Sequence, residues 1–396
     1  MILDKPFPPD PRVENEALTL IEAGYEVFLF CLSYKNEKTS ETYKGIQLRR
    51  YSSGKIEYKL SALSYTLPFY RIGLSKKIRS FLELNQIDVI HIHDMVAGDA
   101  TLLANKKLNL PVILDLHENR PEIMKYYPHL KKFPGNLLIS PERWKKKEGE
   151  LVKKVSKTVV VTNESKKELI QRLGIAADRI VVVPNTVKKS FYQDYELDDL
   201  ILKRYKGTFV ILYLGDTGLR RGLLSVIKAV ANIINGQDLK QNLKLVIVGS
   251  NSSDHILKNK VKELGIQDYV DFEGWQDPKS FQSYLKTACI GVSPLHRNPH
   301  HDTTYANKLF QYMSFEVPLV ASDAKAQKQI IKKANSGLIH KEKDVKDIET
   351  RILQLYNNDR LAEELGRNGK RFIEDKFSWE IVSSELKNLY LEFESS

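Results

Sequence analysis

Short, continuous apolar runs alternate along this chain with longer segments whose apolar residues recur every three or four positions. Runs of the first kind read as parallel strands buried on both faces, and segments of the second kind as helices that cover them. In the first half the strand candidates are Tyr25–Cys31, Ile46–Arg50, Asp88–His91, Val112–Asp115, Thr158–Val161 and Ile180–Val183. Helices fill the gaps, among them Val13–Ala23 and Lys76–Asn85. Only Met1–Leu3 is available for a strand ahead of the first helix, so that strand is short or the chain starts late.

The same rhythm restarts after Pro184 and Asn185. Strands are predicted at Phe209–Leu214, Leu243–Val248, Val270–Phe272, Ile290–Val292 and Leu319–Ala321. Helices are predicted at Leu223–Ile234, Ser253–Glu263, Pro278–Lys286, Ala306–Ser314, Ala326–Lys333 and Asp344–Asn357. The polar segment Val187–Lys206, or the residues just before it, is the expected linker. A last helix is expected from Trp379 to Glu394. The fold class is therefore α/β, with two doubly wound parallel sheets. The expected divisions are residues 1–186, residues 187–377, and a terminal helix in 378–396 that packs back toward the first domain. Such sheets bind ligands at the carboxyl ends of their strands, and a cleft between two facing domains is the expected site.

Composition narrows this picture. A chain of 396 residues is long enough for two or three domains, and its net charge of +11 favours anionic partners. No zinc-finger spacing or RNP motif accompanies the charge, so nucleic acid is not an expected partner. Anionic small molecules and a membrane surface remain. No apolar run is long enough to span a bilayer, and the N-terminus lacks the apolar core of a signal peptide. Cys31 and Cys289 lie in strand-like runs and read as buried, reduced thiols, a cytoplasmic pattern.

Three segments carry candidate chemistry. In His301–Pro318 a polar loop leads into a helix. Backbone N–H groups at such a helix start, the Thr303 and Thr304 hydroxyls and the Lys308 ammonium together suit a phosphate, although an ordinary capped helix has the same local pattern. In Leu212–Gly222 a strand runs into a loop with Gly215, Gly218 and Gly222 and with Arg220 and Arg221, which suit bidentate phosphate recognition. In Ile113–Pro121 a strand delivers Asp115, His117 and Glu118 to its carboxyl end. There a histidine serves chemistry or only structure. Two histidine groups could suggest a metal: His91, His93 and Asp94, and His296, His300, His301 and Asp302. Both read better as polar linings than as ligand sets, so no metal is expected. The basic, aromatic segment 124–147 suits peripheral contact with an anionic membrane, or equally a solvated helix face.

Taken together, these segments resemble glycosyltransferase family 4, retaining enzymes of the GT-B fold with two Rossmann-like domains. Lys5–Ala17 with Gly24–Val27 is similar to the family's acceptor-side loop and first helix. Ile113–Glu118 is similar to its D-x-H-E strand end, and Val183–Val187 to its hinge. Arg221 and Gly222 resemble its K/R-G donor position, and Asn307–Met313 its N-K-L-F-E-Y-M helix.

The resemblance implies a nucleotide-diphosphate-sugar donor, with no other cofactor, and a glycan or lipid-linked acceptor in cell-surface polysaccharide or glycoconjugate synthesis. It implies Arg221 on the donor diphosphate. Lys308, Gly215, Arg220, Gly222 and Thr303, Thr304, Tyr305, Ala306, Asn307 and Gln311 would lie in the donor pocket, with His117 near the transferred sugar and Arg12 lining the cleft. This chain departs from the family in three places. Thr303 and Gln311 stand where the family's acidic pair falls, and Asp216 stands where it has an arginine after the first donor-side glycine. A catalytically weak nucleotide-sugar-binding subunit and a sugar-nucleotide epimerase of the same fold are the alternatives.

Overall fold

The computed structural model describes every residue except 36, 128, 129, 131, 134, 237, 238, 240, 395 and 396. The chain divides into two compact units, residues 1–185 with 383–396, and residues 186–382.

The first unit is built on an eight-stranded sheet. Its strands are β1 (Ile2–Leu3), β2 (Phe28–Ser33), β3 (Ser40–Tyr43), β4 (Ile46–Ser52), β5 (Ile90–His93), β6 (Val112–Leu116), β7 (Lys157–Val160) and β8 (Ile180–Val182). Their spatial order is β3-β4-β2-β1-β5-β6-β7-β8, and every pairing is parallel except β3 with β4. The strand order reverses at β1, which pairs with β2 on one side and β5 on the other. Loops that follow β1 and β5 therefore splay apart at their carboxyl ends and leave a crevice, the expected ligand position of a doubly wound sheet. The helix Pro11–Glu22 begins there. Asp10 caps it by accepting from the Val13 amide, and Pro11 supplies a preset φ at its first turn. The helix Ser384–Glu394 belongs to this unit, with Tyr390 buried against it.

The second unit holds six parallel strands, β9 (Phe209–Leu214), β10 (Leu243–Val248), β11 (Val270–Gly274), β12 (Ala288–Ser293), β13 (Leu319–Ser322) and β14 (Gly337–His340). Their order, β11-β10-β9-β12-β13-β14, is that of a dinucleotide-binding domain, and the reversal falls between β9 and β12. The core joins Ile211, Tyr213, Leu245, Ile247, Ile290 and Val292 from the sheet to Val226, Ile227 and Val230 from helix Leu223–Gly236.

Several elements differ from the sequence reading. Strand β3 reads Ser-Glu-Thr-Tyr, a half-exposed edge strand with no apolar run to reveal it. Strand β14 carries only Leu338 and Ile339 as apolar residues. The helix expected at Lys76–Asn85 starts at Pro68, where proline occupies the first turn. Residues 187–206 are no open linker: they carry the short helices Lys189–Gln193 and Asp199–Arg204 within the second unit. A helix at Asp359–Phe372 precedes the terminal segment, and the last helix is broken at Ser383. Cys31 is buried and Cys289 half-buried, and both are free thiols. Among the described residues, no helix is long and apolar enough to cross a membrane.

Candidate functional site

In the second unit, the loops after β9 and β12 meet at the strand-order reversal. Gly222 has φ +82°, and a Cβ there would lie 1.8 Å from the Pro294 carbonyl oxygen, so only glycine lets the two loops touch. The Arg220 carbonyl accepts from the His296 amide across the same contact. One strand over, Gly249 at φ +134° would place a Cβ 2.0 Å from the Gly215 carbonyl. The carboxyl edge of β9 and β10 is thus bare backbone.

Lys308 opens the seven-residue helix Lys308–Ser314 and sends its side chain back under this edge. Its Nζ lies 3.4 Å from the centroid of the Tyr213 ring and 3.8 Å from where a Cβ on Gly215 would be. The ammonium is buried and has no hydrogen-bond partner among the described residues. Burial, aided by the Arg221 charge, pushes its pKa well below the ordinary lysine value, with Asp216 opposing. A buried cation left without a partner is costly, and a site with that property is shaped for an anion that arrives later.

Arg221 and Arg220 stand on the short turn Leu219–Arg221. Arg221 Nε donates to Asp216 Oδ2 at 3.1 Å, and Arg220 Nη2 lies 3.6 Å from the same oxygen. Asn251 Nδ2 donates to Asp216 Oδ1 at 2.7 Å, and the Gly218 amide donates to it at 3.2 Å. Burial raises the Asp216 pKa, but the charge and hydrogen bond of Arg221 outweigh it and hold the carboxyl below its usual range.

The remaining residues read as donor-site candidates are disposed less uniformly. Thr303 and Thr304 lie at the end of a short helix, Pro299–Thr303, and not in an open loop. Their hydroxyls donate to its carbonyls, Thr303 to Pro299 at 2.6 Å and Thr304 to His300 at 2.8 Å. They therefore do not extend hydroxyl donors to a phosphate in this structure. Tyr305 packs edge-on against Phe310 and Phe377. Ala306 is buried, Asn307 is exposed at the helix start, and Gln311 is half-buried one turn on. His301 uses both ring nitrogens inside the loop, Nδ1 at 2.6 Å from the His296 carbonyl and Nε2 at 3.3 Å from Arg220. Asp302 pairs with Arg297. His300 Nδ1 is buried without a partner, and burial together with the neighbouring His301 pushes its pKa down to about 2. The expected gathering of His296, His300, His301 and Asp302 is thus a hydrogen-bonded loop.

In the first unit, β6 delivers Asp115 and His117 to the carboxyl edge. His117 Nδ1 lies 3.3 Å from Asp115 Oδ2. Arg12, from helix Pro11–Glu22, grips Asp115 with Nε at 2.7 Å and Nη2 at 2.8 Å, and its Nη1 reaches Asn185 Oδ1 at 2.6 Å. Its Nη2 also lies 2.8 Å from Glu16 Oε1. Arg12 was expected to line a cleft. It is instead a buried clamp on Asp115, Val183 and Asn185.

Behind Asp115, Glu16, His91 and His93 complete a fully buried group whose ligand-type atoms, with those of Asp115, all lie within 4.8 Å of one another. Glu16 Oε2 is 3.4 Å from His91 Nε2, and His93 Nδ1 is 3.4 Å from Asp115 Oδ2. The Tyr390 hydroxyl sits 2.9 Å from His91 Nδ1. The Arg12 guanidinium supplies the positive charge that the ionised Asp115 carboxylate requires in a dry interior.

Burial lowers the pKa of both His91 and His93, so both rings are neutral at neutral pH. Burial also raises Glu16, more than Arg12 lowers it. Burial opposes charge on His117, yet the hydrogen bond and charge of Asp115 exceed it and raise that imidazole's pKa. Asp94 pairs with Arg120 beside this edge. The motif had singled out Asp115 and His117. Glu16 and Tyr390 escaped the sequence reading because helical residues that meet β5 and β6 from 75 or more residues away leave no local signal.

Two family models cover most of the chain. Residues 12–191 match Glycosyltransferase Family 4, and residues 195–372 match Glycosyl transferases group 1. The capsular polysaccharide biosynthesis glycosyltransferase CapM of Staphylococcus aureus is 24% identical over 59% of this chain, and that match spans 58% of its own length. A glycosyltransferase of Methanocaldococcus jannaschii is 24% identical over 96% of this chain and 93% of its own. The crystal structure of Anabaena Alr3699/HepE in complex with UDP superposes with a TM-score of 0.72 at 13% identity, covering 99% of each chain.

Proposed function

This chain belongs to the family 4 glycosyltransferases of the GT-B fold, and from that premise we propose that its second unit binds a nucleotide-diphosphate-sugar and that the enzyme transfers the sugar with retention, without a bridging metal. The observation that carries this reading is the Lys308 ammonium, buried, unpartnered and beside Arg221. The departing diphosphate gathers negative charge in the transition state. Lys308 and Arg221 meet that charge as fixed cations, which need no reorganisation when the bond breaks. A retaining path has the acceptor hydroxyl attack from the leaving-group side, with a phosphate oxygen taking its proton. His117, held by Asp115, matches the position at which the family pattern places a histidine for the transferred sugar. The UDP held by the Anabaena protein supports a nucleoside diphosphate as the leaving group. The CapM relative supports a glycan or lipid-linked acceptor in cell-surface polysaccharide synthesis.

The test is a panel of nucleotide-sugars, read by thermal unfolding and by release of nucleoside diphosphate. The correct donor at a hundredfold excess over its Kd stabilises the protein by about 2.7 kcal/mol, a rise of roughly 5–10 °C for a unit of this size. Arg221→Ala weakens that donor at least tenfold, about the value of a lost charge-assisted contact. A panel that moves neither wild type nor variant defeats the reading.

We further propose that the first unit touches an anionic membrane. Residues 128, 129, 131 and 134 of the segment 124–147 lie outside the described residues. Of the rest, Phe133 and Leu137 are largely exposed, and Lys146, nearby in sequence, is exposed as well. The Thr66 hydroxyl donates to the Leu138 carbonyl at 2.7 Å, which brings this segment beside the helices that expose Ile56, Tyr58 and Phe69. Apolar side chains among lysines match a headgroup interface. Co-sedimentation with phosphatidylglycerol vesicles at low salt is expected to capture the protein, with less capture at 0.5 M salt (about a 4 Å screening length) and in a Phe133→Ser, Leu137→Ser double variant. Absence of capture at low salt removes this proposal.

A further inference from the structure

The chain has three tryptophans. Trp144 and Trp379 are buried, whereas Trp275 is 73% exposed. A large aromatic left in water forgoes the burial that stabilises most of its kind. Trp275 is also not on an arbitrary loop. It follows directly on Gly274, the last residue of β11, at the carboxyl edge where doubly wound sheets hold their ligands.

The strand register connects it to the cationic site. Val248 of β10 is the partner of Gly274 on one side and of Leu214 of β9 on the other. The Gly249 amide donates to the Gly274 carbonyl at 2.7 Å, and the Gly215 amide to the Val248 carbonyl at 2.8 Å. Two strand spacings, about 10 Å, therefore separate the backbone at Trp275 from the Gly215 loop. At the carboxyl ends of the three strands stand Gly274, the last residue of β11, and Gly249 and Gly215, the residues just after β10 and β9, none of which has a side chain. At one end of this bare floor stand Lys308, Arg221 and Arg220, and at the other an exposed indole.

We propose that Trp275 is the stacking platform for the nucleobase of the donor, so that a nucleoside diphosphate lies along the glycine floor with its base on the indole and its diphosphate at Arg221 and Lys308. This rests on the donor site assigned to the second unit, and it adds the residue that grips the other end of the ligand. An indole offers its face to any base, so Trp275 supplies affinity, and the choice between uracil, guanine and adenine falls to groups at the base edge.

The other two tryptophans are buried, so the red-edge emission of this protein reports Trp275. Titration of the full chain with UDP, GDP and ADP is expected to give saturable quenching with the nucleotide that binds, and none with inorganic pyrophosphate. In Trp275→Phe that quenching disappears. In Trp275→Ala the calorimetric Kd for the same nucleotide rises about tenfold, whereas the Kd for pyrophosphate is unchanged. Because the residue is exposed, both variants fold, which circular dichroism checks. A nucleotide that binds Trp275→Ala as tightly as wild type, while Arg221→Ala weakens it, overturns the platform and leaves the donor site standing. Failure of wild type to bind any of the nucleotides or pyrophosphate overturns both.

Discussion

Replacing Lys308 by methionine is expected to abolish donor binding and, at the same pH, to raise the melting temperature of the protein. The two effects share one cause. The ammonium sits in a dry position over the Tyr213 ring with no oxygen to receive its protons. Folding therefore carries the cost of an unsatisfied buried polar group, about 1–3 kcal/mol. Methionine has a similar length and no such cost, and each kilocalorie recovered raises the melting point by roughly 2–4 °C.

The pH dependence fixes the sign. Because burial holds the folded pKa of Lys308 below its unfolded value, the unfolded chain binds the extra proton between the two. Stability of the wild type accordingly rises with pH through that window, and Lys308→Met flattens this part of the curve. A bound diphosphate reverses the preference by stabilising the ammonium, so donor affinity falls as pH rises above the free protein's pKa, with proton uptake on binding. Calorimetry in two buffers of different ionisation enthalpy measures that uptake. A variant that melts lower than wild type, or that still binds the donor within threefold, contradicts this account of Lys308.

Much of the scaffold was legible before any coordinates. The run Phe209–Leu214 is uninterrupted in hydrophobicity, Leu243–Val248 is broken only by Lys244, each is followed by glycine, and β9 and β10 have those same limits. What escaped was structure without an apolar signature, such as the polar edge strand β3. The donor-side residues were legible as types at spacings, but their partners were not. Asp216 was visible as a missing arginine, and only folding shows its carboxylate gathering Arg221, Asn251 and the Gly218 amide. The hydroxyls of Thr303 and Thr304 read as phosphate donors because the turn that occupies them, Pro299–Thr303, is too short to have a period. Lys308 could be named from its motif, while the Tyr213 ring beneath it, 95 residues earlier in the chain, could not.

The buried cluster of the first unit gives the second large effect, an asymmetry between two isosteric changes. Glu16→Gln is expected to keep fold and activity, whereas Asp115→Asn is expected to lose most of both. Both carboxyls are buried and both touch Arg12, so contact alone does not separate them. Their charge states do. Asp115 accepts both Nε and Nη2 of Arg12 and stands beside His93 and His117, and Arg12 and these imidazoles overcome burial and hold its pKa well below the usual range. Glu16 has only one oxygen near Arg12 and faces neutral rings with the other, so burial prevails and it retains its proton at neutral pH.

Glutamine therefore reproduces the form that Glu16 already has. It also removes the loss of stability that the wild type suffers as pH rises from the unfolded to the folded pKa of Glu16. Asparagine in place of Asp115 instead strands the Arg12 charge in a dry interior, a cost of about 3–5 kcal/mol. It also removes the partner that keeps His117 oriented and its pKa raised. Unfolding curves between pH 5 and pH 9, with turnover measured on the same samples, read both variants. In Asp115→Asn molecules that remain folded at low temperature, the basic limb of the rate profile should shift to lower pH as His117 loses its counter-charge. If Glu16→Gln is the more damaging change, Glu16 is ionised and the cluster's charge balance is the reverse of the one drawn from its geometry.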